Sequence, residues 1–115
     1  MEKRTFEMAL LLDFYGELLT EKQREYMDLY YNEDYSLAEI ARLGGITPQG
    51  VRDAIQRGET TLRATEEKTG FIARVTETAE TAERIRLRCQ TIEARCGAEL
   101  GPQFQAIYRE LDSLV

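Results

Sequence analysis

An all-α fold is predicted for this chain of 115 residues, and three observations predict it. Apolar residues recur at steps of three and four over most of the length, which gathers them on one side of a helix. Glu, Leu, Arg and Ala, all good helix formers, are abundant, and there are only two prolines. Three segments open on side-chain caps: Thr20 with Gln23, Ser36 with Glu39, and Thr47 with Pro48 behind it. The expected architecture is a four-helix bundle containing a helix-turn-helix over residues 1–70, then a long C-terminal helical arm over 71–115 that is a candidate dimerisation element.

The first helix is expected from about Arg4 to Leu19. Phe6, Leu10, Phe14 and Leu18 form its apolar stripe, flanked by Ala9, Leu11 and Tyr15, and Gly16 weakens its end. The Thr20–Gln23 capping box opens a second helix that continues to about Tyr31, with Tyr26, Met27, Leu29, Tyr30 and Tyr31 as buried candidates. Leu19 and Arg24 occupy the positions of a hydrophobic staple, but Arg24 is polar, so that device is missing. Asn32-Glu33-Asp34 is a polar connector, and Tyr35 packs as a lid over the start of the next helix.

Residues 36–57 read as the helix-turn-helix. Ser36 and Glu39 cap a short helix with Leu37, Ile40 and Ala41 inward, and Gly44-Gly45 stops it. Thr47 caps the following helix, and Pro48 stands where a missing N–H costs nothing. Val51, Ala54 and Ile55 line its inner side. The framework is Ser36, Ala41, Gly45 and Val51: Ala41 admits a close helix crossing, Gly45 takes the positive φ of a tight turn, and Val51 fills the wedge. This last helix is expected to run to Lys68 and stop at Gly70. Gly50 and Gly58 inside it each cost up to about 1 kcal/mol relative to Ala, and the Thr-rich stretch 60–81 is a local exception to the helix-favouring composition.

In the arm, Ile72, Val75, Ala79, Ala82, Ile85, Cys89, Ile92 and Cys96 make a heptad-like seam with one early step. Gly97, Gly101 and Pro102 break it, and a last helix over about Gln103 to Ser113 sets Phe104, Ile107, Tyr108 and Leu111 on one side. The arm either folds back on the first helices or pairs with its twin, and a homodimer is expected. Cys89 and Cys96 fall on one face of the predicted helix about 10 Å apart, too far to bridge. With no His and no other Cys they form no metal set, so they read as small buried apolar residues, a cross-chain disulfide being the alternative.

The second helix of such a unit usually enters a nucleic-acid groove. Its exposed leading positions are Thr47, Gln49, Gly50, Arg52 and Asp53, with Gln56 and Arg57 one turn on. Gln pairs with adenine and Arg with guanine, Asp53 accepts from cytosine while repelling phosphate, and Thr47 at a helix start suits a phosphate. The plainer account is that Thr47 only caps and the others are solvated helix residues. Tyr26, Tyr30 and Tyr31 have rings that stack on bases in single strands, but their helical spacing suits packing.

Charge argues against an autonomous duplex binder. The net charge is −6; residues 1–35 hold nine acidic and four basic side chains, residues 36–69 five of each, and residues 70–115 seven and six. A basic footprint is the usual source of affinity for phosphates, and here only Arg42, Arg52, Arg57 and Arg63 offer a small positive face. An enzyme is not expected: there is no His, no Gly-rich phosphate loop and no activated thiol, and no cofactor is implied. Met8–Leu12 is bounded by Glu7 and Asp13, too short for a targeting segment or a span, which points to the cytoplasm.

MALLLDFYGELLTEKQREYMDLYYNEDYSLAEIARLGGITPQGVRDAIQRGETTL, followed by EKTGF, closely resembles the YlxM-like (UPF0122) family of small bacterial helix-turn-helix proteins, itself similar to region four of bacterial primary sigma factors. The likeness covers residues 8 to about 72. It implies a sigma-region-four-like fold and, because relatives tend to be encoded beside signal recognition particle components, an accessory role in that pathway. Two departures mark this chain: Pro48 stands where relatives commonly carry a basic residue, and Glu59, Glu66 and Glu67 follow where sigma region four turns strongly basic. The expected function is that of a regulatory DNA- or RNA-binding protein. The alternative is a protein-interaction adaptor of the signal recognition particle machinery, gripping a basic partner through its acidic first helices.

Overall fold

The computed structural model describes residues 2–114, with side chains from Thr5 onward, so the side chain of Arg4, where the first helix is expected to begin, lies outside the described ones. Six α-helices follow in order among the described residues: α1 (Glu2–Tyr15), α2 (Glu21–Tyr31), α3 (Leu37–Gly44), α4 (Pro48–Thr69), α5 (Phe71–Glu93) and α6 (Gly101–Asp112). There is no strand among the described residues. Two compact units result, Met1–Gly70 and Phe71–Val115.

In the first unit α4 is the spine, against which α1, α2 and α3 all pack. Met8, Met27, Ile40, Val51 and Leu62 are fully buried, and Leu11, Leu12, Tyr15, Tyr26, Ala41 and Ile55 complete the core. At about 1.5–3 kcal/mol for each large apolar side chain removed from water, this cluster outweighs every polar contact nearby. Tyr15 adds a directional tie: its hydroxyl donates to Glu66 Oε1 at 2.5 Å and lies 2.8 Å from Thr69 Oγ1, fixing α1 to the far end of α4.

The buried face of α1 differs from the expected stripe. Met8, Leu11, Leu12 and Tyr15 face the core, whereas Phe6 is 70 % exposed, Phe14 and Leu18 are exposed and Leu10 is half-buried. Steps of four residues turn 400°, so a row at 6, 10, 14 and 18 drifts 40° per step and leaves the contact line; steps of three and four stay on it. The α-helix also ends earlier than Leu19, passing into a 3-10 turn over Gly16–Leu18 that rotates Leu18 outward.

Gly58 has a reason that helix propensity does not supply. A Cβ built there would lie 2.4 Å from Met27 Sδ, so bare backbone is what lets α2 approach α4 this closely. The threonines of α4 are likewise accommodated: Thr60, Thr61 and Thr65 donate their hydroxyls to the carbonyls of Gln56, Arg57 and Thr61 one turn back.

The second unit is a helical hairpin. Ala82 of α5 packs with Phe104, Tyr108 and Leu111 of α6, and Cys89, Cys96 and Leu100 lie against them. Tyr108 donates to Glu93 Oε1 at 2.7 Å, and the Arg86 guanidinium sits 5.4 Å above the Tyr108 ring and reaches Asp112. Burial and the Glu93 carboxylate push the Tyr108 hydroxyl pKa up to about 12. The seam read along 72–96 is therefore split, with Ala82 and Cys89 inward while Ile85 and Ile92 stay exposed. Cys96 is not on the helix, since α5 ends at Glu93; it lies in the following turn, and both cysteines are half-buried free thiols.

Gly58→Ala is expected to lower stability by about 1–2 kcal/mol. Overpacking against the buried Met27 costs about 1–3 kcal/mol and exceeds the gain of about 1 kcal/mol in helix propensity. Combining it with Met27→Ala should recover part of that loss relative to additivity, while Gly101→Ala, whose new Cβ meets nothing within 4 Å, should be neutral. Urea unfolding of the four variants measures all three.

Candidate nucleic-acid interface

The helix-turn-helix is assembled by local chemistry before packing acts. Ser36 Oγ accepts from the Glu39 backbone N–H at 3.1 Å, and Glu39 Oε1 accepts from the Ser36 backbone N–H at 3.1 Å. That reciprocal pair satisfies two N–H groups that a helix start leaves open. Bonding from the Ser36 backbone N–H, then its hydroxyl, holds the Glu39 carboxyl below its usual range. At the other end Gly45 takes φ 67°, and the Gly45 and Ile46 N–H groups both close on the Ala41 carbonyl. A side chain there would strain a left-handed residue, so the turn needs glycine.

Thr47 Oγ1 accepts from the Gly50 N–H at 3.0 Å, and Pro48 opens α4. Ile40 and Val51 are fully buried and Ala41 and Ile55 nearly so, which closes the wedge between α3 and α4. Two adjacent residues of α2 set the position of both helices. Met27 meets α4 at Gly58, and the Tyr26 hydroxyl sits 2.9 Å from where a Gly44 Cβ would be, at the end of α3.

With its inner side so occupied, α4 presents an outer face. Thr47, Gln49, Arg52, Asp53, Gln56 and Arg57 are exposed and Gly50 is half-buried. At 100° per residue, Gln49, Arg52, Asp53 and Gln56 share one face with Thr60 and Arg63, and Arg57 lies at its edge. Gln49 Nε2 donates to Asp53 Oδ1 at 2.9 Å, so two of the candidate readers hold each other one turn apart. Asp53, Gln56, Arg57, Thr60 and Thr61 rim a shallow depression; Thr60 was legible as a candidate only by extending the helical phase of Gln49 and Gln56 by another turn, and Thr61 by extending that of Arg57.

A second hollow, of about 450 Å³, lies beside Arg52 and Gln56, walled by Tyr30, Tyr31, Tyr35, Leu37, Ile55 and Glu59. The Tyr30 and Tyr31 rings meet edge to face at 5.0 Å, and the Tyr31 hydroxyl donates to Glu59. Tyr35 reaches this wall because Asp34 takes φ 58°, a left-handed turn that Asp tolerates, and the Tyr35 N–H closes on the Leu29 carbonyl. The tyrosine spacing indicated packing, and these rings are half-buried, but the hollow they enclose needs the turn at Asp34 and had no signal in the sequence.

Residues 1–95 match the family model described as "Putative helix-turn-helix protein, YlxM / p13 like", UPF0122. The chain belongs to this family. A UPF0122 protein of Geobacillus kaustophilus is 42% identical over 114 residues, covering 99% of both chains. One from Thermoanaerobacter sp. (strain X514) is 42% identical over 104 residues, 90% of this chain and 86% of its own length. One from Acetivibrio thermocellus is 55% identical over 69 residues, 60% of this chain and 59% of its own. The UPF0122 match spans all of α1 to α5, a helix-turn-helix kind of fold rather than an enzyme's. No described helix is long and apolar enough to cross a membrane.

Thr47→Ala should lower stability by about 1 kcal/mol by removing the α4 cap, whereas Thr47→Ser should cost little. The capping box carries a pH signature of known sign. Because the Glu39 carboxyl is held below the ordinary glutamate value of 4.5, its contribution is complete above that pH and is lost as pH falls through the lowered folded value. The stability difference between wild type and Glu39→Gln, followed by urea unfolding, should accordingly shrink through that acid window and be flat above it.

Proposed function

We propose that the protein is a cytoplasmic regulatory nucleic-acid-binding protein that touches DNA or RNA through the leading half of α4. The observation that carries this reading is the exposed row Gln49, Arg52, Gln56 and Arg57, held outward by a helix whose opposite side is buried at Val51, Ile55 and Leu62. Arg52 and Arg57 supply charge for phosphate or guanine, Gln49 and Gln56 suit adenine, and the Thr47-capped helix start adds backbone N–H groups for a phosphate. Asp53 sets a limit: bonded to Gln49, it repels phosphate at the centre of the face, which favours a contact centred on Gln56 and Arg57. The small positive face and the chain's net charge of −6 fit modest affinity that is lost steeply with salt. An accessory place in the signal recognition particle pathway rests on the gene neighbourhood of the family, and a homodimer would present two such faces.

The adaptor reading has its own supporting observation. Glu17, Glu21 and Glu25 are exposed within the most acidic third of the chain, a surface suited to a basic protein partner.

One experiment separates the two. Capture from lysate with and without nuclease should recover a defined nucleic acid, and Arg52→Ala with Arg57→Ala should abolish its retention and flatten the salt dependence by about one per lost phosphate contact. Retention unchanged by those substitutions overturns the nucleic-acid reading. Release of a protein partner by charge reversal at Glu17, Glu21 and Glu25 would then establish the adaptor.

A further inference from the structure

The α5–α6 hairpin leaves one face apolar. Ile85 (40 % exposed), Ile92 (55 %), Ile107 (36 %) and Leu114 (56 %) are exposed on it, outside the buried cluster of Ala82, Phe104, Tyr108 and Leu111, whereas exposed Leu87 lies on the far side of α5. Ile85 and Ile92 are seven apart on α5, and Ile107 and Leu114 are seven apart across α6 and the turn after it, so each pair lies on one side of its helix. The two pairs share a side of the hairpin, because Leu114 rims the same hollow as Thr78, Thr81 and Ile85. The antiparallel register set by Arg86–Asp112 and Tyr108–Glu93 places Ile107 between the levels of Ile85 and Ile92. The four make a continuous zigzag. A cluster of four buried residues is a small core between two helices, and a hairpin of this size usually needs further apolar burial to hold its shape.

We propose that this face is where a second copy of the chain docks, the two hairpins closing into an antiparallel four-helix bundle. Charge decides for a second copy over another occupant. Just outside the Ile85–Ile92 line on α5 lies exposed Arg88; just outside the Ile107–Leu114 line on α6 lies exposed Glu110, at nearly the same level of the hairpin. A two-fold axis along the hairpin sets α5 of one copy over α6 of the other and brings each Arg88 against Glu110 of the second copy. The face is thus complementary to itself, as a two-fold contact requires. An anionic surface would meet Glu110 unfavourably. The inference does not depend on the reader helix binding nucleic acid.

Analytical ultracentrifugation of the full chain without nucleic acid, at micromolar concentration, tests it. The wild type should sediment at twice the chain mass, and Ile92→Glu should halve that mass with the helical circular dichroism signal retained. Should Ile92→Glu unfold, the exposed pair decides: Arg88→Glu should raise the dimer dissociation constant about tenfold or more, and Arg88→Glu with Glu110→Arg should restore it. A single-chain mass for the wild type overturns the proposal. So does a doubled mass that folded Ile92→Glu leaves unchanged, or a charge reversal that the swap fails to rescue.

Discussion

The first unit depends on the contact between Met27 and the bare backbone of Gly58. Met27 is fully buried, and its sulfur occupies the space that any β-carbon at position 58 would take. That contact fixes how near α2 lies to α4, and Tyr26, the preceding residue, presses on the glycine that ends α3. A single turn of α2 thereby sets the distance to both helices of the helix-turn-helix. The turn at Gly45 and the caps at Ser36 and Thr47 shape each piece, but they cannot set the crossing by themselves. Close packing at Ala41 and Val51 follows once α4 is held at this depth.

Electrostatics shapes the candidate interface as much as geometry does. The fold turns Arg52, Gln56 and Arg57 outward on α4, yet gives Asp53 a partner in Gln49, so the leading turn carries an anchored negative charge. The hollow beside Arg52 is walled by tyrosines and by Glu59, which binds the Tyr31 hydroxyl. A surface of mixed sign next to an aromatic wall differs from the uniformly basic face of a strong duplex binder. Specific hydrogen bonding, rather than bulk charge, is what such a face has to offer a nucleic acid.

Much of the fold was legible because its signals are local. Ser36 with Glu39, Thr20 with Gln23, Thr47 with Pro48, and Gly45 each act on atoms within a few residues, so the helix starts and the tight turn follow from spacing alone. Burial on α1 was not legible for the opposite reason. Nearly every position from Phe6 to Tyr15 is apolar, so periodicity could not choose between the row at Phe6, Leu10 and Phe14 and the row at Met8, Leu11 and Tyr15, and only contact with α2 and α4 does. Gly58 looked like a cost in helix propensity, because its benefit lies thirty-one residues away at Met27. The seam in the arm was a sum of two faces, one turned to α6 and one outward, which a single heptad pattern merges. At the candidate interface, the helical phase of α4 named its outer residues, but the Gln49–Asp53 bond depends on rotamers and the tyrosine hollow on tertiary packing, which spacing does not encode.

Weak reading and self-association would reinforce one another. A lone α4 face with two or three cationic contacts gives little affinity at physiological salt, since each neutralised phosphate contributes modestly and is opposed by the acidic remainder of the chain. Joining two copies through the outward row of Ile85, Ile92, Ile107 and Leu114 makes the second contact intramolecular once the first has formed. The gain then comes from effective concentration, which salt weakens less than it weakens the phosphate contacts themselves. An acidic protein can in this way reject nonspecific duplex, where single contacts dominate, and still hold a target that offers two properly spaced sites. In a dimer that reads nucleic acid as proposed, the net charge of −6 would filter what binds, and the apolar face of the hairpin would supply the avidity that lets a specific target pass.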